Sequence, residues 1–144
     1  MKKILSIVLV LSMLFAFASC ESNNNGSKQT SSDLDLDLTK LSSTMVYSEV
    51  YNMMNTPDEY IGKKVKMQGD FSVYEGDGRN YYTCIIADAT ACCQQGMEFV
   101  WKGDHKYPED YPELGEDITV TGVFETYYEG EDMYCQLNDC EVVF

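Results

Sequence analysis

Six cysteines hold most of the reactive chemistry in this 144-residue chain. Cys92 and Cys93 are adjacent, inside "DATACCQQGMEF" at 88–99. Cys20, Cys84, Cys135 and Cys140 are the others. Neighbouring thiols could ligate a metal, form a disulfide, take part in redox exchange or simply fill space. Without Cys20, five remain, and an odd number leaves at least one thiol free or shared between chains. Cys84 and Cys140 read as core residues, since free Cys packs as a small hydrophobe.

Other catalytic signatures are scarce. His105 is the only histidine, so a multi-histidine metal site is excluded. It sits in a proline-containing loop beside Asp104 and reads as an exposed loop residue. The chain contains no G-x-S-x-G, H-E-x-x-H, EF-hand or phosphate-cradling loop. Asp88 ends an apolar stretch and reads as a turn-starting Asp whose side chain bonds nearby backbone N–H groups. Tyrosine is abundant, with 11 copies. Tyr74, Tyr81, Tyr82, Tyr127 and Tyr128 flank two Gly- and acid-rich turns and could form one exposed aromatic patch. Tyr gives contact area at little entropy cost, so a sugar, peptide or protein could stack there. The competing reading is that these rings cover cross-strand positions.

The elements that must position these residues follow an N-terminal leader. A basic Met1-Lys-Lys3 precedes an apolar run to Phe17 and the small residues before Cys20. That pattern is a secretory signal rather than a membrane span. The stretch "FASC" at 17–20 resembles the lipobox of bacterial lipoproteins, with Phe17 in place of the usual Leu. The resemblance implies cleavage before Cys20, acylation of its sulfur and attachment to the outer face of the cell membrane. Ala16-Phe17-Ala18 would instead serve ordinary secretion. Residues 1–19 are therefore expected to be a signal peptide, and residues 20–42 a lipidated N-terminus and flexible polar linker. Within it, "DLDLDL" at 33–38 alternates like a strand and could attract a cation. It reads instead as a solvated acidic run.

Loss of Lys2 and Lys3 with the signal takes the formal charge from −14 to −16. A phosphate backbone would be repelled, because bound nucleic acid needs Lys and Arg to replace its counterions. Nucleic acid is excluded as a partner, and cations or cationic ligands are favoured.

Residues 43–144 form the expected domain. Val46, Val50, Met53 and Met54 fall at helix spacing, and Thr56, Pro57 and Glu59 match a capping box opening a second helical turn. The period then becomes two. Val65, Met67, Phe71 and Val73 share one strand face with Gly69, and Ile118, Val120 and Phe124 share one with Gly122. "GKKVKMQG" (62–69) and "GEDITVTG" (115–122) follow the same pattern, and Gly inside a strand marks a tight bend or barrel corner. Further strands are expected at 81–88, 97–101 and 133–144. Cys135 and Leu137 have one parity and Cys140 and Val142 the other, so a β-bulge is expected near Asn138-Asp139.

This order of one helix and five strands resembles the OB-fold, a five-stranded Greek-key barrel. It is closest to small bacterial extracytoplasmic OB domains, in which a helix leads into a "Y-x-G-K-x-V-x-x-x-G" strand, here Tyr60 to Gly69. The usual helix between the third and fourth strands is replaced by a loop at 102–116. The fold class is thus all-β with an N-terminal helix. The OB topology sets the third and fifth strands side by side and parallel, which would bring the Cys92–Cys93 turn near Cys135. Cys84 would face about Trp101. A disulfide from Cys135 to one of the neighbours follows, or a zinc site of Cys92, Cys93 and Cys135 with a carboxylate or water. The spacing is not that of a C-x₂-C zinc knuckle, so cofactor-free structural cysteines are the preferred reading. The functional expectation is a membrane-anchored, non-catalytic module for an unidentified small-molecule or protein ligand. The alternative is a metal-binding or thiol-redox protein.

Overall fold

The computed structural model describes residues 34–76 and 78–144. The expected signal peptide, the 17–20 motif and Cys20 lie outside the described residues. Among the described residues, six strands form one sheet, with one α-helix before the five long strands. The chain is therefore all-β with an N-terminal helix, as expected, but it has one strand more than the five anticipated.

The extra strand corrects the reading of the acidic run. β1 (Leu36–Asp37) pairs in parallel with Val65 and Lys66 at the start of β2 (Lys64–Gly76). Asp35 accepts from the Lys64 backbone N–H at 2.8 Å. Leu38, in a 3-10 turn (Leu38–Lys40), is completely buried. The strand-like alternation, rather than the charge run, decides the outcome: Leu36 and Leu38 turn inward while Asp35 and Asp37 find partners. Asp37 accepts from the Thr39 hydroxyl and pairs with Lys40 at 2.8 Å, which holds its carboxyl below the usual range.

Helix α1 (Ser43–Asn55) buries Val50 and Met53, as its spacing predicts. Met54 is instead 40% exposed, so the apolar stripe is narrower than anticipated. The capping box does not form. The Thr56 hydroxyl turns back to the Asn52 carbonyl at 2.9 Å and closes α1. Pro57 then opens only a single 3-10 turn (Pro57–Glu59). Gly62 adopts φ +83°, and its N–H reaches the Phe124 carbonyl at 2.8 Å, which sets the entry to β2.

β2 changes partner midway. Lys64 to Asp70 pair with Asp117 to Val123 of β5 (Asp117–Glu129), while Asp70 to Gly76 pair with β3 (Arg79–Ala87). Gly69 marks the change. A side chain there would put Cβ 2.3 Å from the Ile85 carbonyl oxygen, so only glycine lets the strand bend across β3. Gly122 holds the equivalent place in β5, where a Cβ would lie 2.3 Å from Cys140 Sγ.

β3 pairs antiparallel with β4 (Gln94–Trp101), and β4 runs parallel to β6 (Asp132–Val143). The expected bulge is present. Val123 pairs with Asn138 but Thr121 with Glu141, so β6 carries one extra residue, and Asp139 takes φ +54°. The switch of parity lets both Leu137 and Cys140 face the core.

The loop at 102–116 contains turns and no helix, as its prolines predict. It closes one end of the core with rings. Tyr111 stacks on Tyr82 at 4.1 Å between centroids and lies 5.9 Å from Phe71. His105 is not the exposed residue expected. It is half-buried and stacked on Trp101 at 3.6 Å, with Nε2 3.0 Å from the Lys102 carbonyl oxygen.

Candidate functional site

Two hairpins, β2–β3 and β5–β6, flank a cleft of about 470 Å³. Strand alternation decides which side chains reach it. On β3, Tyr81 and Thr83 point into the cleft, while Tyr82 and Cys84 point into the core and the loop packed on it. On β4, Gly96 and Glu98 face the cleft, and Met97 and Phe99 are core. Tyr74, Tyr127 and Tyr134 complete the aromatic wall, with Met54 of α1 also in the lining.

The rings are held in pairs. Tyr74 and Tyr81 are cross-strand partners with centroids 6.0 Å apart, and Tyr127 stacks on its partner Tyr134 at 5.5 Å. One carboxylate, Glu129, ties the two hairpins together, and a second, Glu98, ties β4 to β5. Tyr81 donates its hydroxyl to Glu129 at 3.0 Å, and Arg79 forms an ion pair with the same carboxylate while covering the Tyr81 ring at 4.2 Å. Tyr127 donates to Glu98 Oε2 at 2.5 Å. Burial pushes the Glu98 carboxyl up, opposed by the Tyr127 hydroxyl and by Arg79. Burial and then Glu98 push the Tyr127 phenol up to about 12, so it remains a donor at neutral pH.

The five expected tyrosines therefore do not make one patch. Tyr74, Tyr81 and Tyr127 converge on the cleft. Tyr82 packs between Phe71, Phe99, Tyr107 and Tyr111, and Tyr128 is 68% exposed and outside the cleft lining. Adjacent strand residues face opposite sides, so Tyr81–Tyr82 and Tyr127–Tyr128 could not both contribute. The residues missed are Tyr134, Glu98 and Glu129. Tyr134 was detectable in principle, because the two-residue turn Gly130-Glu131 sets Tyr127 opposite it. Nothing local marks Glu98 among so many carboxylates.

All five described cysteines are free thiols. Cys84 and Cys140 are core residues, as expected, and burial pushes both thiols up to about 12. Cys84 pairs with Met97 rather than Trp101, because the β3–β4 hairpin begins earlier, at Ala87 and Gln94. The set of Cys92, Cys93 and Cys135 does not assemble. Cys135 lines the aromatic cleft on β6, where the parallel register places it level with Met97, four residues beyond Cys93. At ~3.3 Å per residue that is about 13 Å. The expected disulfide to Cys135 is accordingly absent.

Asp88 takes the third place instead. Its Oδ1 accepts from the backbone N–H groups of Thr90 at 3.0 Å and Cys92 at 2.9 Å, as a turn-starting Asp should. These bonds, led by that from Cys92, hold its carboxyl below the usual range. Cys92 and Cys93 Sγ are 3.7 Å apart, and a carboxylate oxygen of Asp88 lies within 4.8 Å of both. The Cys93 thiol is pushed up by its contact with Cys92, then by burial and the Asp88 charge.

No protein-family model matches the chain, and no curated protein matches it.

Proposed function

We propose that the protein is an exported lipoprotein, acylated at Cys20 and held on the outer face of the cell membrane, that binds a ligand non-catalytically in the aromatic cleft. The domain is read as an OB-like Greek-key barrel. That reading is supported by the partner switch of β2 between β3 and β5 and by the parallel β4–β6 pair. The observation that carries the functional reading is the convergence of four tyrosines and two carboxylates on one cleft. Ring faces receive apolar C–H surface, and Glu98 and Glu129 accept hydroxyl or ammonium protons. The only guanidinium in contact with these rings is already paired with Glu129. Such walls suit an uncharged hydroxylated ligand first and a cationic one second, and they disfavour phosphate.

Chitotriose, a lysine-containing tetrapeptide and a single-stranded oligonucleotide are suitable probes for NMR titration. Shifts confined to Tyr81, Tyr127 and Tyr134 with chitotriose or the peptide, lost in Tyr81→Ala, are expected. Binding of the oligonucleotide, or shifts away from the cleft, would refute the reading. For attachment, Cys20→Ala should move the protein from membrane to soluble fractions. A mutant that stays with the membrane rules out the lipid anchor.

A further inference from the structure

We propose that the β3–β4 turn, through Asp88, Cys92 and Cys93, binds one thiophilic divalent cation of the zinc class. The inference is independent of the aromatic cleft.

The argument begins with an anomaly of direction. Consecutive residues of an extended strand point to opposite faces. Cys92 and Cys93 do not, because the turn between Ala87 and Gln94 refolds them. Asp88 N–H donates to the Cys93 carbonyl at 2.9 Å, and Ala91 N–H to the Asp88 carbonyl at 3.0 Å. Ala91 takes φ +54°, a left-handed conformation uncommon for a residue with a side chain. The Asp88 side chain then clamps the loop from inside through Thr90 and Cys92. Both thiols end exposed beside one carboxylate.

Their separation is that of a chelate. Two thiolates each about 2.3 Å from a tetrahedral zinc stand about 3.8 Å apart, and the sulfurs are 3.7 Å apart. A disulfide needs about 2.05 Å, so oxidation would require the sulfurs to close up, whereas their present separation already suits a metal and only the Asp88 carboxylate has to draw in. Asp88 Oδ1 is occupied by backbone donors, whereas Oδ2 is approached only by the Thr90 hydroxyl at 3.2 Å and can supply the third ligand. Two sulfurs and one oxygen leave the fourth tetrahedral position to water. Thiolate ligands select zinc and cadmium over calcium and magnesium. Binding is balanced as one divalent ion taken up and two thiol protons released, so affinity increases with pH. A formal charge of −14 also draws cations towards the molecule.

The test uses the full chain carrying Cys20→Ser, solubilised in detergent, reduced and freed of reductant without oxygen. Cadmium is titrated while the thiolate-to-cadmium charge-transfer band is followed, and zinc is then added as competitor. The expected result is one equivalent bound with a two-thiolate band that zinc removes. Cys92→Ser and Cys93→Ser should each abolish that band. Asp88→Asn keeps the acceptor for the turn but loses the charged ligand, and should weaken binding about 10–100-fold. Cys135→Ser should bind as the parent does. Thr90→Ala, which removes the hydroxyl but no ligand, controls for damage to the turn and should also bind as the parent. A band that survives either Cys→Ser change, one that disappears in Cys135→Ser, unchanged affinity in Asp88→Asn, or no uptake at all would each overturn the proposal.

Discussion

Tyr127→Phe isolates the electrostatics of the aromatic cleft. The ring stays, with its stacking on Tyr134, and the main loss is the 2.5 Å bond to Glu98, with the hydroxyl's weaker contact to Arg79. A hydrogen bond to a charged group contributes about 1.5–3 kcal/mol. Water can reach half-buried Glu98 and replace the hydroxyl, so the loss falls to about 1 kcal/mol. For a domain of roughly this size that lowers the melting temperature by about 4–8 °C. The hydroxyl favours the ionised carboxylate and so opposes the burial that raises the Glu98 pKa. Its contribution is present while Glu98 is ionised and is lost as pH falls through the folded pKa. The penalty of Tyr127→Phe is therefore largest at neutral pH and shrinks in acid, and the Glu98 pKa moves further up.

Burial acts with the opposite sign. The folded pKa of Glu98 lies above its unfolded value of about 4.3. Glu98 thus favours the fold below that unfolded value, and the advantage is lost as pH rises through the folded pKa. Glu98→Gln is neutral at every pH yet still accepts from Tyr127. It should gain stability relative to the parent as pH rises. Carboxyl-carbon NMR titration of Glu98, with urea unfolding between about pH 4 and 8, measures both effects. A Glu98 that titrates below the ordinary glutamate value, or a pKa that falls in Tyr127→Phe, refutes the reasoning.

Three further outcomes follow from the packing. Leu38→Ala should cost about 2–5 kcal/mol in urea unfolding, the range for a buried leucine; a change near zero would restore the solvated-linker reading. Gly122→Ala should cost about 1–3 kcal/mol through overpacking against Cys140 Sγ and the Asn138 carbonyl. Combined with Cys140→Ala it should cost less than the sum of the two single changes, whereas additivity within about 0.5 kcal/mol would mean the contact is absent. Brief alkylation of the native protein, read by peptide mass spectrometry, should label Cys92 and leave Cys84 and Cys140 unlabelled until denaturant is added. Labelling of Cys84 at the rate of Cys92 contradicts its burial and raised pKa.

Much of the sheet was legible because it rests on period two. The alternation of Val65, Met67 and Phe71 located β2, and the parity clash between Leu137 and Cys140 located the bulge. Both signals are local and survive without tertiary context. The burial of Leu38 was not legible, since its neighbours are acidic and its partner edge on β2 is brought to it only by folding. The capping box failed for a similar reason. The Thr56 hydroxyl could accept from a backbone N–H of the turn that follows or donate to a carbonyl of the helix before it, and the Asn52 carbonyl took it. The candidate sites were misjudged where sequence neighbours were treated as spatial neighbours. Tyr81 and Tyr82 are adjacent yet face opposite sides of β3. Cys92 and Cys93 are adjacent and face the same way because the turn from Asp88 to Cys93 departs from extended backbone. Cys135 was assigned to them from the parallel strand pair. That pair exists, but its register sets Gln136 beside Glu98, too far along β4.

The positions of the two sites along the sheet make a last outcome calculable. β1 pairs with the first residues of β2, at Val65 and Lys66, whereas the cleft is built around the turn after Gly76. Along β3, Tyr81 marks the cleft, and Asp88, seven residues later, marks the thiol turn. At ~3.3 Å per residue they are about 23 Å apart, and Glu98, five residues beyond Cys93 on β4, is about 16 Å from the thiol turn. Sites separated by more than about 7–10 Å with no shared partner behave additively. Among the residues named for the two sites, none is common to both. Cadmium at Asp88, Cys92 and Cys93 should therefore leave the Glu98 titration unmoved. For the same reason, Tyr127→Phe should leave cadmium affinity unmoved. Titrating Glu98 with and without one equivalent of cadmium decides the matter. A shift in its pKa would mean that β3 or β4 transmits strain between the ends of the sheet, and the two sites would then be one linked device rather than two independent ones.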